Sequence, residues 1–167
     1  PVSLSSIAQR IETTAPVSRL RSWVDDARDA ADNPVLHVTG AAGSVPAFLL
    51  YHVHTDPGAP LCCLVPDEDA AAYLQSDLEQ LVSDPEDQVL RVPATQQAPY
   101  DPEQITDSTP LIERADALQR LAEGFGGILV TSVQAVGELV PPPEAVQRET
   151  LTVKTGEEIS LEGLADR

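Results

Sequence analysis

Hydrophobic positions recur every three or four residues in several stretches of the chain, which predicts helices. After Pro16 the apolar positions are Leu20, Trp23, Val24, Ala27 and Ala31. This spacing lays one apolar stripe along a helix, and Asn33 and Pro34 should end it. Two later stripes predict one helix that Asp67 caps and another that begins at Thr109. Their apolar positions are Ala71, Leu74, Leu78 and Leu81, and Leu111, Ile112, Ala115, Leu118, Leu121 and Ala122.

Short apolar runs between the helical stretches predict β-strands at 35–38, 61–65, 89–92 and 128–131. The first is followed by a glycine turn and an apolar helical stretch at 45–53, which Ser44 can cap. The last is followed by Ser132, which can cap a short helix. Because each strand precedes a helix, four β-then-α units predict an α/β fold, a parallel sheet with helices on both faces.

The pattern changes after three consecutive prolines at 141–143. An alternating strand pattern follows at 150–153, and a helix pattern begins at Leu161. We therefore expect one α/β domain over residues 1–147. Residues 148–167 are expected to be the beginning of a second, truncated domain that is less stable by itself.

Charge and composition narrow the class of protein. The chain of 167 residues has 27 Asp and Glu against 10 Lys and Arg, a net charge of −17. Such acidity argues against a nucleic-acid-binding surface, which needs clustered basic side chains. The hydrophobic content of 42% argues against a disordered acidic tail, and no apolar run approaches the length that crosses a membrane.

The two cysteines are adjacent, Cys62 and Cys63, within the apolar run at 61–65. Neighbours on a strand point to opposite faces, so a disulfide between them is geometrically poor and a buried strand is the better interpretation. Free cysteines suggest a reducing, cytoplasmic setting. No basic and apolar leader follows Pro1, so we expect a fragment without a secretory signal.

The glycine turn is the one stretch that suggests a binding site. In a phosphate-binding loop of the form G-x-x-x-x-G-K-[ST], a lysine reaches the phosphates and a hydroxyl binds magnesium. With the first glycine at Gly40, these two positions hold Pro46 and Ala47. We therefore interpret Gly40, Gly43 and Ser44 as a vestigial phosphate loop. At most its helix N-terminus attracts an anion weakly.

Other polar residues have simpler explanations than catalysis. The three histidines, His37, His52 and His54, lack metal-ligand spacing and are expected at surface or hydrogen-bond-satisfied positions, so no metal site is expected. Paired acids such as Asp25 and Asp26, or Glu157 and Glu158, are interpreted as a solvated surface. Ser44 and Ser132 have no histidine partner at a recognisable spacing. Trp23 is expected in the core. Arg114 and Arg120 are expected to point in different directions from their helix. No catalytic residue is predicted.

Five segments in order resemble the amino-terminal part of the bacterial transcription-repair coupling factors, which is similar in turn to excinuclease UvrB. The resemblance covers about residues 20–167, and its segments are Val38-Thr39-Gly40-Ala41-Ala42-Gly43-Ser44, Leu64-Val65-Pro66-Asp67, Ala98-Pro99-Tyr100-Asp101, Ile128-Leu129-Val130-Thr131-Ser132-Val133-Gln134-Ala135 and Leu151-Thr152-Val153-Lys154-Thr155-Gly156. The sequence departs from this pattern at Thr95 and Ala98, where an aromatic and a larger apolar residue are common in the family.

The resemblance implies a helicase-like α/β domain with a degenerate phosphate loop, followed by a small domain that contacts excinuclease UvrA. It implies no cofactor here, because ATP and magnesium belong to the downstream DNA-translocating motor. Downstream domains would contact RNA polymerase and DNA. The chain is then a non-catalytic scaffold in transcription-coupled nucleotide excision repair, with no nucleic acid or membrane contact of its own.

The alternative is a nucleotide-binding fragment of a helicase such as excinuclease UvrB. That protein would need an intact lysine in the phosphate loop and an aromatic-rich hairpin that grips DNA. The segment from Pro93 to Pro110 contains Tyr100 as its only aromatic residue. Without more aromatics, the stacking platform used to bind single strands is absent.

Overall fold

A computed structural model describes residues 3–55, 60–95 and 108–149, with residues 148 and 149 described by their backbone alone. The helices are α1 (Leu4–Glu12), α2 (Ala15–Arg28), α3 (Val45–Thr55), α4 (Glu68–Glu79), α5 (Pro85–Gln88), α6 (Thr109–Ala122), α7 (Val133–Val136) and α8 (Pro143–Glu149). The strands are β1 (Leu61–Val65), β2 (Val89–Val92) and β3 (Ile128–Ser132).

The three strands form a parallel sheet in the order β1-β3-β2. Ile128 of β3 is in register with Leu61 of β1 and with Val89 of β2. The predictions of strands at 61–65, 89–92 and 128–131 and of a parallel α/β sheet are confirmed. Since β1 leads to β2 through α4 and β2 leads to β3 through α6, both connections are crossovers of the kind that parallel strands require.

The predicted strand at 35–38 is wrong, and with it the count of four β-then-α units. Residues 33–42 form neither helix nor strand, and Val35 and Val38 are 76% and 53% exposed. A strand exists only where a neighbour accepts its backbone hydrogen bonds, and an apolar run cannot specify that neighbour. The segment leads into α3 without joining the described sheet.

Each face of the sheet carries an apolar cluster. On the first face, α3 and α4 pack over a cluster of buried residues: Ala47, Cys63, Ala71, Leu78, Val82, Val89, Ile128 and Val130. On the second face, α6 packs over Leu90, Val92 and Leu129 through Ala117 and Leu121. Helices therefore cover both faces, as the sequence predicted.

Local signals placed several helix ends correctly. Asp67 caps α4, since its side chain accepts a hydrogen bond from Ala70 N at 2.8 Å. Ser132 caps α7 by accepting a hydrogen bond from Ala135 N at 3.0 Å.

Other helix bounds differ from the prediction. The helix after Pro16 ends at Arg28, short of Ala31, and α1 was not predicted from the sequence. The prolines at 141–143 interrupt the chain, but Pro143 also begins α8. Proline is tolerated at a first helical position because an N–H there would have no partner within the helix.

The predicted strand at 150–153 and the helix from Leu161 lie outside the described residues, so the boundary at 147 stays a prediction. The same holds for most of the segment from Pro93 to Pro110, including Tyr100. Within the described ranges no helix is both long and apolar enough to cross a bilayer.

Candidate functional site

The turn that the sequence analysis interpreted as a vestigial phosphate loop is exposed and precedes α3. Gly40 and Gly43 have φ values of 80° and 59°, a backbone region that residues other than glycine rarely adopt. The carbonyl of Ser44 accepts a hydrogen bond from Phe48 N at 3.4 Å, so α3 starts at the turn. Phosphate loops usually follow the end of a sheet strand. This turn instead follows residues 33–39, which do not pair with the described sheet.

Side chains that would hold nucleotide are absent from this turn. Pro46 occupies the lysine position, which removes both a cation and an amide donor. Ala47, at the position of the magnesium-binding hydroxyl, is 0% exposed and belongs to the core cluster of the first face. A hydroxyl at this position would therefore point into the core, away from any phosphate.

Apolar walls surround the turn. A cavity of about 570 Å³ lies between α2, α3 and the turn, and its lining includes Leu20, Trp23, Leu36, Val38 and Leu49. Among the described residues, Arg19 is the one Lys, Arg, Asp or Glu in this lining. A second cavity of about 340 Å³ adjoins it and is lined by Leu20, Val24, Val38, Ala41, Pro46, Leu49, Leu50 and Val53. Trp23 is half-buried at this groove, so its predicted core position is only partly realised.

Polar side chains meet at the carboxyl ends of the strands, where open α/β sheets usually bind ligands. Ser132 Oγ donates a hydrogen bond to the Glu68 carboxylate. The other oxygen of Glu68 lies 3.6 Å from Arg91 Nη1, and Arg91 Nη2 lies 2.7 Å from Glu113 Oε2. The groups satisfy one another, and Ser132 contacts a carboxylate with no histidine in the network. This arrangement braces α4, β2 and α6 and lacks the parts of a nucleophilic site.

A buried ion pair that the sequence did not reveal lies nearby. Arg114 is 6% exposed, and its Nε lies 3.5 Å from Glu138 Oε2. Arg114 also donates to the carbonyls of Pro93 and Ala135, at 2.8 and 3.2 Å. Arg114 shares a helix face with Ala117 and Leu121, and this spacing was the signal in the sequence that could have indicated its burial.

Glu138 in turn holds the chain after β2. Its carboxylate accepts hydrogen bonds from Thr95 N and from Thr95 Oγ1, both at 2.7 Å. The threonine that departs from the family pattern is thus a hydrogen-bonding residue in this structure. Arg114, Glu138 and Thr95 together fasten the segment after β2 to α6 and to the residues after α7.

His52 is buried between α1, α2 and α3. Its side chain is 2% exposed, it hydrogen-bonds the backbone of Ala8, and its Nε2 has no partner among the described residues. Burial lowers the pKa of His52, and the Arg21 guanidinium lowers it further, while Glu12 and the Ala8 hydrogen bond oppose them. The surface or hydrogen-bond-satisfied position expected for this residue is therefore wrong.

In the part of the chain that the structure describes, neither a metal-ligand cluster nor a patch of Arg114 and Arg120 is formed. Within residues 3–55, 60–95 and 108–149, no group of three or more His, Cys, Asp or Glu side chains could hold a metal ion. Arg114 and Arg120 do diverge: Arg114 is buried, and Arg120 donates to the Glu86 carbonyl and lies 5.1 Å from the ring centre of Phe125. Asp25 and Asp26 lie on α2, and both are exposed.

The cysteines are unpaired, as the strand pattern predicted, but the buried strand expected at 61–65 is only partly found, because Cys62 and Leu64 are exposed. Both thiols are free, with Cys62 exposed and Cys63 buried. Burial is the main reason that the pKa of Cys63 is raised to about 12, with a smaller contribution from Cys62. Cys63 is therefore a packing residue of the core and not a reactive thiol.

Comparison with known proteins identifies the region. No protein-family model matches the chain. A transcription-repair-coupling factor from Myxococcus xanthus is 32% identical over 133 residues, which cover 77% of this chain and 11% of that protein. The chain thus spans about a ninth of the length of this relative. The match confirms the resemblance drawn from the five sequence segments: this chain is related to a region of the transcription-repair coupling factors.

Proposed function

We propose that this chain is a non-catalytic amino-terminal module of a transcription-repair coupling factor. It acts in transcription-coupled nucleotide excision repair as a scaffold for the region that recruits excinuclease UvrA. The observation that carries this proposal is the turn at Gly40, Gly43 and Ser44, whose surroundings are apolar and whose lysine and hydroxyl positions hold Pro46 and Ala47.

The absent charges argue against nucleotide chemistry. Phosphoryl transfer depends on a cation at the phosphates and a held magnesium ion. Pro46 supplies neither, and Ala47 is buried in the core. The module therefore neither binds nor hydrolyses ATP, and ATP and magnesium act in the downstream motor. The same residues disfavour the alternative, a nucleotide-binding helicase fragment such as excinuclease UvrB.

The scaffold role is supported by the packing of α8, the helix from which the chain continues into the proposed second domain. Helix α8 packs on α6, and Gln147 Nε2 donates to the Ala122 carbonyl at 2.7 Å. The helix that leads into the proposed start of the UvrA-binding domain at 148–167 therefore packs against α6. Contacts with RNA polymerase and DNA are assigned to downstream domains.

An ATP titration followed by calorimetry tests the non-catalytic part of the proposal. With magnesium present, the chain should give no binding heat at millimolar ATP, whereas the full-length coupling factor should bind through its motor. A micromolar dissociation constant that disappears in a Gly43→Leu variant would refute the proposal, because binding would then use the turn.

A pull-down with purified excinuclease UvrA tests the scaffold part. The chain of 167 residues should not retain UvrA, and a longer piece that includes the whole second domain should. Retention by residues 1–149 alone would place the contact on the sheet domain and contradict the proposed division.

A further inference from the structure

Helix α1 is joined to the rest of the described structure by a small contact. It packs against α2 and α3, and neither apolar cluster of the sheet includes a described residue of α1. Within α1, Ala8 is the one buried residue. Segments that bury little apolar surface open at a lower free energy than the core of a protein. Helix α1 is therefore an element that can leave its position while the sheet stays folded.

Polar groups connect α1 to its two neighbours. Glu12 of α1 pairs with Arg21 of α2 at 3.4 Å, and both side chains are partly exposed to solvent. Such exposed ion pairs stabilise a contact only weakly. The ring of His52, which is 2% exposed, hydrogen-bonds the backbone of Ala8. Buried His52 is thus the polar group that joins α3 directly to α1.

The hydrogen bonds of His52 assign its neutral tautomer. The bond to the Ala8 backbone favours the protonated ring, so the ring is the donor and the Ala8 carbonyl is the acceptor. Nε2 has no partner among the described residues, so Nδ1 is the nitrogen that donates. A neutral imidazole has one donor and one acceptor nitrogen, and Nε2 therefore carries a lone pair.

Protonation removes the fit of this ring to its site. A proton taken from solvent onto Nε2 creates a second N–H donor at a buried position, where no described group lies within hydrogen-bonding distance. A buried charged donor without an acceptor is strongly unfavourable. The Arg21 guanidinium adds repulsion, while the Glu12 carboxylate offsets only part of it because it already pairs with Arg21.

The surroundings of the ring supply no other countercharge. A cavity of about 370 Å³ adjoins His52 and is bordered by α1, α2, α3 and the residues after α4. Among its described lining residues, Glu12 and Arg21 are the charged ones, and Tyr51 of α3 is the other titratable residue besides His52. The residues after α4 contribute uncharged Gln80 and Leu81. A protonated ring gains acceptors only when α1 moves away and water enters.

We propose that protonation of His52 favours a state in which α1 has left α2 and α3 while the sheet domain stays folded. In that state water accepts hydrogen bonds from both ring nitrogens. A helix of nine residues is marginal without a packing partner, so the released α1 also loses its internal hydrogen bonds. The contact between α1 and α3 is thus a pH-sensitive one, closed around a neutral ring and opened by a charged one.

The direction of the pKa shift sets the pH range of this opening. Burial, followed by the Arg21 guanidinium, holds the pKa of His52 below its usual value in the closed state. The hydrated ring of the open state has the usual pKa of about 6.5. The ratio of open to closed molecules therefore rises below about pH 6.5, by at most about tenfold per pH unit, until the pH passes the pKa of the closed state.

Hydrogen exchange of the 167-residue chain at pH 7.5 and pH 5.5 tests the proposal. Each rate is expressed as protection relative to an unstructured peptide at the same pH. The amides from Ala8 to Glu12 should be at least about 100-fold less protected than those of β3, because they exchange through release of α1 alone. Between pH 7.5 and pH 5.5 their protection should fall by more than about twofold and by at most about tenfold.

Two variants identify the responsible group. His52→Gln cannot be protonated, so its α1 protection should be the same at both pH values. His37→Gln replaces an exposed histidine and should keep the wild-type decrease. If His52→Gln does not fold, an NMR titration of the wild type decides: the His52 ring and the α1 amides should titrate with one common midpoint below about pH 6.5.

Three outcomes would overturn the inference. Protection of α1 equal to that of β3 would mean that the helix leaves only on global unfolding. Protection of α1 that does not change between the two pH values would show that protonation does not open the contact. A wild-type decrease in His52→Gln, or separate midpoints for the His52 ring and the α1 amides, would show that another group controls α1.

Discussion

At the scale of single residues, the side chains with the largest energetic consequences are polar ones held inside the structure. Arg114 and Glu138 form one such pair, and each also hydrogen-bonds backbone groups from a different segment. His52 is another, with its ring inside the contact of α1, α2 and α3. None of these residues was assigned this role from the sequence, because burial of a polar side chain depends on which elements close over it.

Removing the Glu138 carboxylate should destabilise the domain strongly. The Glu138→Ala variant leaves the Arg114 charge buried and Thr95 N without its acceptor, so we expect a loss of about 3 to 5 kcal/mol in the free energy of unfolding. Urea denaturation measures it. The matched control is Glu123→Ala, an exposed carboxylate at the end of α6, which should change stability by less than about 0.5 kcal/mol. Equal effects of the two variants would contradict the buried pair.

Stability should fall on mild acidification because of His52. Its folded-state pKa lies below the usual value of about 6.5, so the unfolded chain takes up a proton first as the pH falls. Its contribution is therefore complete above pH 6.5 and is lost below it, by at most about 1.4 kcal/mol per pH unit, until the pH passes the folded-state pKa.

The comparison that isolates this effect is His52→Gln, which cannot be protonated. Urea denaturation at pH 7.5 and pH 5.5 should show a smaller decrease in the free energy of unfolding for the variant than for the wild type. His37→Gln replaces an exposed histidine and should keep the wild-type decrease. An unchanged decrease in His52→Gln would show that other groups cause the acid sensitivity.

At the scale of elements, helix ends follow local rules that the chain carries in its sequence. Asp67 accepts from Ala70 N, and Ser132 accepts from Ala135 N. These caps satisfy amides that have no partner within the helix, so they work before any tertiary contact forms. The predicted caps at these two positions were therefore reliable.

The cap of α4 gives a prediction at this scale. Asp67→Ala should lower the free energy of unfolding by about 1 kcal/mol, because it removes the acceptor for Ala70 N and a negative charge at the helix N-terminus. Asp67→Asn keeps an acceptor and should lose less than half as much. Thermal denaturation of both variants measures the difference, and an equal loss would mean that charge outweighs the hydrogen bond.

At the scale of the whole molecule, the net charge of −17 is combined with some arginines that already pair with carboxylates. Arg91 pairs with Glu68 and Glu113, and Arg114 is buried against Glu138. These two arginines are therefore not free to form a surface for phosphates. The acidic surface instead repels nucleic acid at long range.

DNA binding by the isolated chain should consequently be undetectable at physiological salt. A gel-shift titration with duplex and single-stranded DNA should show no complex at tens of micromolar protein, while a basic DNA-binding protein serves as the positive control. A salt-sensitive complex in the low micromolar range would reveal a basic face and refute the expectation.

The sequence by itself determined the features that depend on neighbours in the chain. Apolar runs identified β1, β2 and β3, helical stripes identified α4 and α6, and the order of strands and helices predicted a parallel sheet. The proline at position 46 and the five segments that resemble the family were also visible directly in the sequence. These features rest on period, capping and residue identity, which require no knowledge of distant contacts.

Tertiary structure decided whatever depends on a partner far along the chain. The apolar run at 35–38 had the composition of a strand, yet no described strand pairs with it, because pairing needs a neighbour as well as propensity. Burial of Ala47, His52 and Arg114 likewise depended on which helices packed over them. Strand order placed apolar β1 at one edge and charged β2 at the other, and that contrast exists only once the strands are assembled.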